Sequence, residues 1–147
     1  MELIFPRGVE KELNSFELYV CINQGYLFEE CQYHFYGALD PFDFVERFMV
    51  SDIASDMDND LCYAHTWGLV QMMDVLVEEL DLKPFTGKYL DYRALHWIGY
   101  MYRYWVFWLG ISSKEVYAQV PLEKALESYL GLHTLDPKEA IYMWSRW

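Results

Sequence analysis

The chain reads as an all-α protein, a single helical domain over residues 1–147, and three observations predict it. The stretch from Ala94 to Leu109 is apolar around its whole helical circumference. Helix start and stop signals recur along the chain, and no strand-like alternation bounded by turns lies between them. Hydrophobic residues make up 54% and aromatics 19%, enough for one large core at this length but not for two. About six to eight helices are expected, packed around a central aromatic-rich helix over about 92–109.

The first segment, Val9 to Asn23, sets Leu13, Phe16 and Val20 on one face. Gly25 is read as an interruption, after which Tyr26 to Tyr36 resumes with Leu27, Cys31 and Phe35. Asp40-Pro41 is a start signal, because Asp caps the first amides and proline suits the first helical position. The helix that follows is expected to run to about Ser55 through Val45, Met49 and Ile53, with Asp56 to Asp60 as an acidic loop. Leu61 to Leu80 reads as another helix, with Leu69, Met72, Met73, Leu76 and Leu80 as its stripe. Leu82 to Asp91, with Pro84 and Gly87, is the clearest connector.

In the central helix Leu95, Ile98, Tyr102, Trp105, Val106 and Leu109 share one face. Trp97, Met101, Tyr104 and Trp108 take the other. A helix apolar on every side belongs inside a domain. Gly110 stops it. Ser112 with Glu115 forms a capping pattern for a short helix to about Gln119. Pro121 opens another to about Leu130, closed by Gly131, and Asp136-Pro137 starts the last.

Eleven basic residues face 23 acidic ones, a net charge of −12. That balance argues against direct nucleic-acid binding and against anionic membrane surfaces, both of which need clustered Lys and Arg. It suits a basic protein partner, whose approach it would steer. Thirteen Tyr and six Trp exceed what a core needs, and such rings also serve binding surfaces. The richest apolar run, Trp97 to Ile111, is too short for a membrane span and contains Arg103. With no secretory signal in Met1 to Gly8, and with three cysteines in no disulfide framework, a cytoplasmic protein is expected.

Candidate chemistry is sparse. Asp56-x-Asp58-x-Asp60 matches the start of a calcium loop, but Leu61 stands where the turn needs Gly and Trp67 where a bidentate Glu belongs. The run Asp52, Asp56, Asp58, Asp60 is therefore read as a solvated segment able to meet a basic partner. Two Cys-x-x-His pairs, Cys31 with His34 and Cys62 with His65, place their members on common helix faces, and together they have the composition of a zinc site. Neither pair has a knuckle residue between its members, so no cofactor is expected and zinc is the alternative. His96 and His133 read as core histidines. No nucleophile elbow, metalloprotease motif or phosphate loop is present, so a non-enzymatic role is expected.

The segments Gly110 to Tyr117, Tyr129 to Leu135 and Glu139 to Ile141 resemble small bacterial proteins of unknown function encoded beside ADP-ribosyltransferase-like toxins. Arg47 to Asp58 and Leu95 to Trp105 resemble a companion family of the same gene clusters. The resemblance implies the non-catalytic member of a toxin–antitoxin-like system and carries no established functional residues. The expected function is thus a protein-binding factor that neutralises a toxin-like enzyme. Asp52, Asp56, Asp58, Asp60, Tyr142 and Trp147 are its candidate contacts. A zinc-stabilised helical protein and an acidic DNA mimic are the alternatives.

Overall fold

The computed structural model describes residues 12–33, 38–59, 62–85, 87–144 and 146. The helices are α1 Ser15–Glu30, α2 Pro41–Met49, α3 Asp52–Met57, α4 Leu69–Glu79, α5 Tyr92–Leu109, α6 Ser113–Gln119, α7 Leu122–Leu132 and α8 Pro137–Trp144. A 3₁₀ turn, Tyr63–Thr66, precedes α4. Among the described residues there is no strand, only an isolated bridge between Leu39 and Pro84.

Helix α5 has the expected bounds and the expected place. Every residue from Met101 to Leu109 is buried, so this half of the helix has no solvent face. Asp91 caps its start by accepting from the Arg93 amide at 2.9 Å. Gly110 ends it with φ of 66°, a left-handed turn that strains any residue with a Cβ. Trp144 of α8 packs against Trp97, Tyr102 and Trp105 with ring centroids 5.5, 6.1 and 5.7 Å away. Its indole N–H donates to Ser128 Oγ at 2.8 Å, which satisfies the polar edge of a ring with no exposure. On the far side Phe28 meets Phe44 and Phe48 edge to face.

Several expectations are corrected: Gly131 lies inside α7 rather than closing it, and His133, read as a core histidine, is exposed. Gly25 does not interrupt: α1 is one continuous helix from Ser15 to Glu30. The glycine is there for packing. A Cβ on Gly99 of α5 would stand 2.6 Å from the Gln24 carbonyl oxygen and 3.0 Å from Gly25 Cα, so two facing glycines let the backbones of α1 and α5 nearly touch. The helix begun at Pro41 ends at Met49, because Ser51 restarts the chain as a cap, its Oγ accepting from the Ala54 amide at 3.1 Å. Asp56 therefore lies in the last turn of α3, and the acidic loop starts two residues later than expected, with Asp58 and Asn59 as turn and bend. Finally, the helix expected from Leu61 is a 3₁₀ turn followed by α4, with extended backbone at Gly68 between them.

The connector before α5 is tied down. Gln32 donates to and accepts from the Leu90 backbone at 2.8 and 3.0 Å. Asp43 accepts from the Lys83 amide at 2.7 Å.

Candidate functional site

An arginine in the middle of the core is the first feature of chemical interest. Arg103 lies on α5 with no solvent exposure, and a buried guanidinium requires a carboxylate and further acceptors. Its Nη1 donates to Asp58 Oδ1 at 2.6 Å, and its Nε donates to Gln24 Oε1 at 2.7 Å. Asp58 also accepts from the Ser113 amide at 2.9 Å and from Ser113 Oγ at 2.5 Å. Gln24 passes the chain on, its Nε2 donating to the Gly99 carbonyl at 3.1 Å. One polar cluster thus joins α1, the end of α3, α5 and the start of α6. Burial lowers the guanidinium pKa and Asp58 opposes that shift. Arg103 Nη2 has no hydrogen-bond acceptor among the described residues; the Phe107 ring lies 5.7 Å from the guanidinium carbon.

Beside this cluster a cleft opens between α1, the 3₁₀ turn and the start of α4. It holds about 80 Å³ that water can reach, behind an open mouth. Val20, Leu27, Met57, Trp67, Leu69 and Met72 give it apolar walls, and Asn23, Gln24 and His65 supply the polar groups. His65 is buried, with Nε2 2.9 Å from the Asn59 carbonyl and its ring edge-on to Phe16 and Phe107. A second, more open cleft shares Ala64 and Trp67 with the first and includes Asp56 and Asn59.

The outer face of α1 continues the first cleft. Phe16, Tyr19, Ile22 and Tyr26 are all more than 40% exposed, although they recur at three- and four-residue steps on one side of the helix. Tyr26 belongs to both the stripe and the cleft wall. A helix that buries one face on α5 and shows a second apolar face has a surface that the described residues leave uncovered.

Charge is distributed unevenly. Fifteen of the 23 acidic residues lie between Glu12 and Leu82, where Arg47 is the lone base. Arg47 is itself paired with Asp43 at 2.8 Å. The elements that build the cleft, α1, α3, the 3₁₀ turn and α4, contain no Lys or Arg. Asp52, Asp56, Asp74 and Glu78 stand exposed on α3 and α4.

Of the contact residues expected from sequence, Asp52 and Asp56 are solvent-facing as anticipated. Asp58 is not a docking carboxylate: its oxygens are committed to Arg103 and Ser113 inside the fold. Tyr142 is exposed on α8, away from the cleft lining, and its hydroxyl accepts from Arg146 Nη2 at 2.7 Å. Asp60 and Trp147 lie outside the described residues, as does His34 of the first Cys-x-x-His pair.

Cys31 stands apart from the second pair. His65 packs on Phe16 near the start of α1, whereas Cys31 caps its end, and the fifteen steps from Phe16 to Cys31 span about 22 Å of helix. Cys31 is buried with its thiol pKa pushed up by burial and by Asp40 and Glu30, which favours an inert thiol over a thiolate ligand. Cys62 Sγ accepts from the Ala64 amide at 3.3 Å, as the cap of the 3₁₀ turn. Among the described residues no three His, Cys, Asp or Glu side chains are grouped to hold a metal.

Sequence reading did not single out Arg103, Gln24 and Ser113 as a unit. The available signal was the lone arginine within an apolar helix, which demands an acidic partner from elsewhere in the chain. Among the described residues no helix is long and apolar enough to cross a membrane. No protein-family model matches this sequence, no curated protein matches it, and no solved structure matches the fold.

Proposed function

We propose that the chain is a non-catalytic binding protein that holds a basic partner protein. Its resemblance to components of toxin–antitoxin-like clusters makes a toxin-like enzyme, of the ADP-ribosyltransferase kind, the partner of choice. The reading rests chiefly on the partition of charge. Between Glu12 and Leu82 carboxylates outnumber bases fifteen to one, and the single base is already paired. Such a field accelerates encounter with a cationic surface and repels acidic competitors. The exposed rings of α1 supply the apolar contact that would slow dissociation. They also favour a protein partner over the DNA-mimic alternative, which needs a carboxylate surface without an apolar stripe. Inhibition would follow from steric cover of the partner's active cleft.

Affinity purification of the tagged chain from its native bacterial cells, with mass spectrometry, tests the proposal. Recovery of one stoichiometric protein encoded beside it, toxic when expressed alone and harmless with this chain, is the expected result. Recovery of the chain alone and monomeric would overturn it.

A further inference from the structure

The structure carries a docking surface whose occupant can be named by chemistry. We propose that the cleft between α1 and α4, with the outward stripe of α1, receives a cationic amphipathic helix of a partner protein. The inference deepens the binding role proposed above and rests on it for the partner's existence, but the surface and its occupant are argued from geometry.

The stripe Phe16, Tyr19, Ile22, Tyr26 spans eleven residues of α1, about 15 Å. That length matches two to three turns of a helix laid alongside, whose anchors recur at three, four and seven residues. An extended peptide has no place to add, because among the described residues there is no sheet edge. The cleft beside the stripe, with about 80 Å³ that water can reach, accommodates the tip of one anchor side chain and not a whole helix. Met57 and Met72 in its wall are adaptable surfaces of the kind that mould to different apolar anchors.

Charge selects the sign of the occupant. The elements around the cleft bear no Lys or Arg, and Asp56, exposed on α3, lines the adjoining cleft that shares Ala64 and Trp67. A second copy of this chain would bring the same acidic face into contact with itself, so like charges oppose self-association there. A helix with lysines or arginines along its edges and leucine, methionine or an aromatic ring on its inner face satisfies both the apolar stripe and the carboxylates.

The test uses the full chain and a synthetic 14-residue amphipathic helix of lysine, leucine and one tryptophan. A scrambled peptide of identical composition is the control for charge alone. Titration calorimetry gives affinity, and methionine-methyl NMR reports on Met57 and Met72 inside the cleft. The amphipathic peptide is expected to bind one to one, at least tenfold tighter than its scramble, with both methyl signals shifting. Replacing the exposed Tyr19, Ile22 and Tyr26 together by alanine is expected to remove at least tenfold of that affinity while leaving the circular dichroism spectrum intact.

Equal binding by the scramble, or shifts that leave Met57 and Met72 unmoved, overturns the assignment. Concentration-dependent dimerisation lost in the triple alanine variant overturns it in favour of a second copy. If a cellular partner is recovered but retains its affinity for the triple variant, this surface is wrong and the binding role stands. If no partner is recovered and the peptide still binds as described, the binding role falls and the surface assignment stands.

Discussion

Asp58 and Arg103 are 45 positions apart in sequence and 2.6 Å apart in the fold, and their pairing joins the end of α3 to the middle of α5. The guanidinium is fully buried while the carboxylate keeps 18% exposure, so the arginine depends on the aspartate more than the reverse. Replacing a partner of a buried charge leaves the other uncompensated, whereas removing both can be close to neutral. Asp58→Ala is expected to cost about 3–5 kcal/mol in denaturant unfolding. The double variant Asp58→Ala/Arg103→Met is expected to recover part of that loss. A single-variant cost below about 1 kcal/mol, the level of an exposed ion pair, would show that the pair is not structural.

The α1–α5 crossing depends on two facing glycines. Gly99→Ala would place a methyl 2.6 Å from the Gln24 carbonyl oxygen, with backbone on the other side and no flexible side chain to yield. The helices must separate, and Gln24 must loosen its bonds to Arg103 and Gly99. A loss of about 1–3 kcal/mol is expected, as for other overpacked cores, although alanine is the better helix former. Thermal melting of G99A checks it; an unchanged or raised Tm would mean that the crossing is looser than it stands here.

Alkaline pH should unfold the protein through groups kept neutral by burial. Burial pushes the Cys21 thiol from its ordinary value near 9.0 up to about 12. The folded state therefore holds this proton where the unfolded chain has lost it. The resulting stability is complete below about pH 9 and is lost as pH rises toward 12. Tyr104, likewise raised to about 12 by desolvation, acts in the same direction. Melting temperature is expected to fall above pH 9, less steeply in Cys21→Ala. Parallel slopes in the two proteins would remove Cys21 from the account. In the native state at pH 8 neither Cys21 nor Cys31 should react with an alkylating reagent, since both are buried thiols.

For partner association, Asp52, Asp56 and Asp74 are the carboxylates to reverse, and Asp58 is not. The first three are exposed; the last holds Arg103. Reversing the three to lysine is expected to slow association with a basic partner by about tenfold or more at low salt and to flatten its ionic-strength dependence, with dissociation little changed. Stopped-flow association over a salt series is the measurement. An unchanged rate would place the contact on another face.

Local chemistry explains what was legible in the sequence. The bounds of α5 follow from an aspartate cap, an uninterrupted apolar circumference and a terminal glycine, all within one stretch of chain. Asp40-Pro41, Ser112 and Asp136 mark helix starts for the same reason: a cap bonds to an amide two or three residues on, so its whole effect is local. Gly25 was misread because a helix-breaking glycine and a glycine at a helix crossing are identical in sequence. Only the arrival of Gly99, from another helix, tells them apart.

The candidate site is tertiary in origin. The composition of residues 12–82 already carries the acidic excess, but whether its carboxylates face water depends on what packs against them. Asp56 and Asp58 differ by two positions: one is exposed, and the other turns inward to Arg103. The three rings and one isoleucine of the α1 stripe read equally well as core until the described fold leaves that face uncovered. By itself the sequence determined an all-α chain with its longest apolar helix at the centre, since caps and periodicity act within a few residues. Which acid is internal, which rings remain exposed and where a cleft opens were decided by long-range packing, because burial is a property of neighbours and not of the residue.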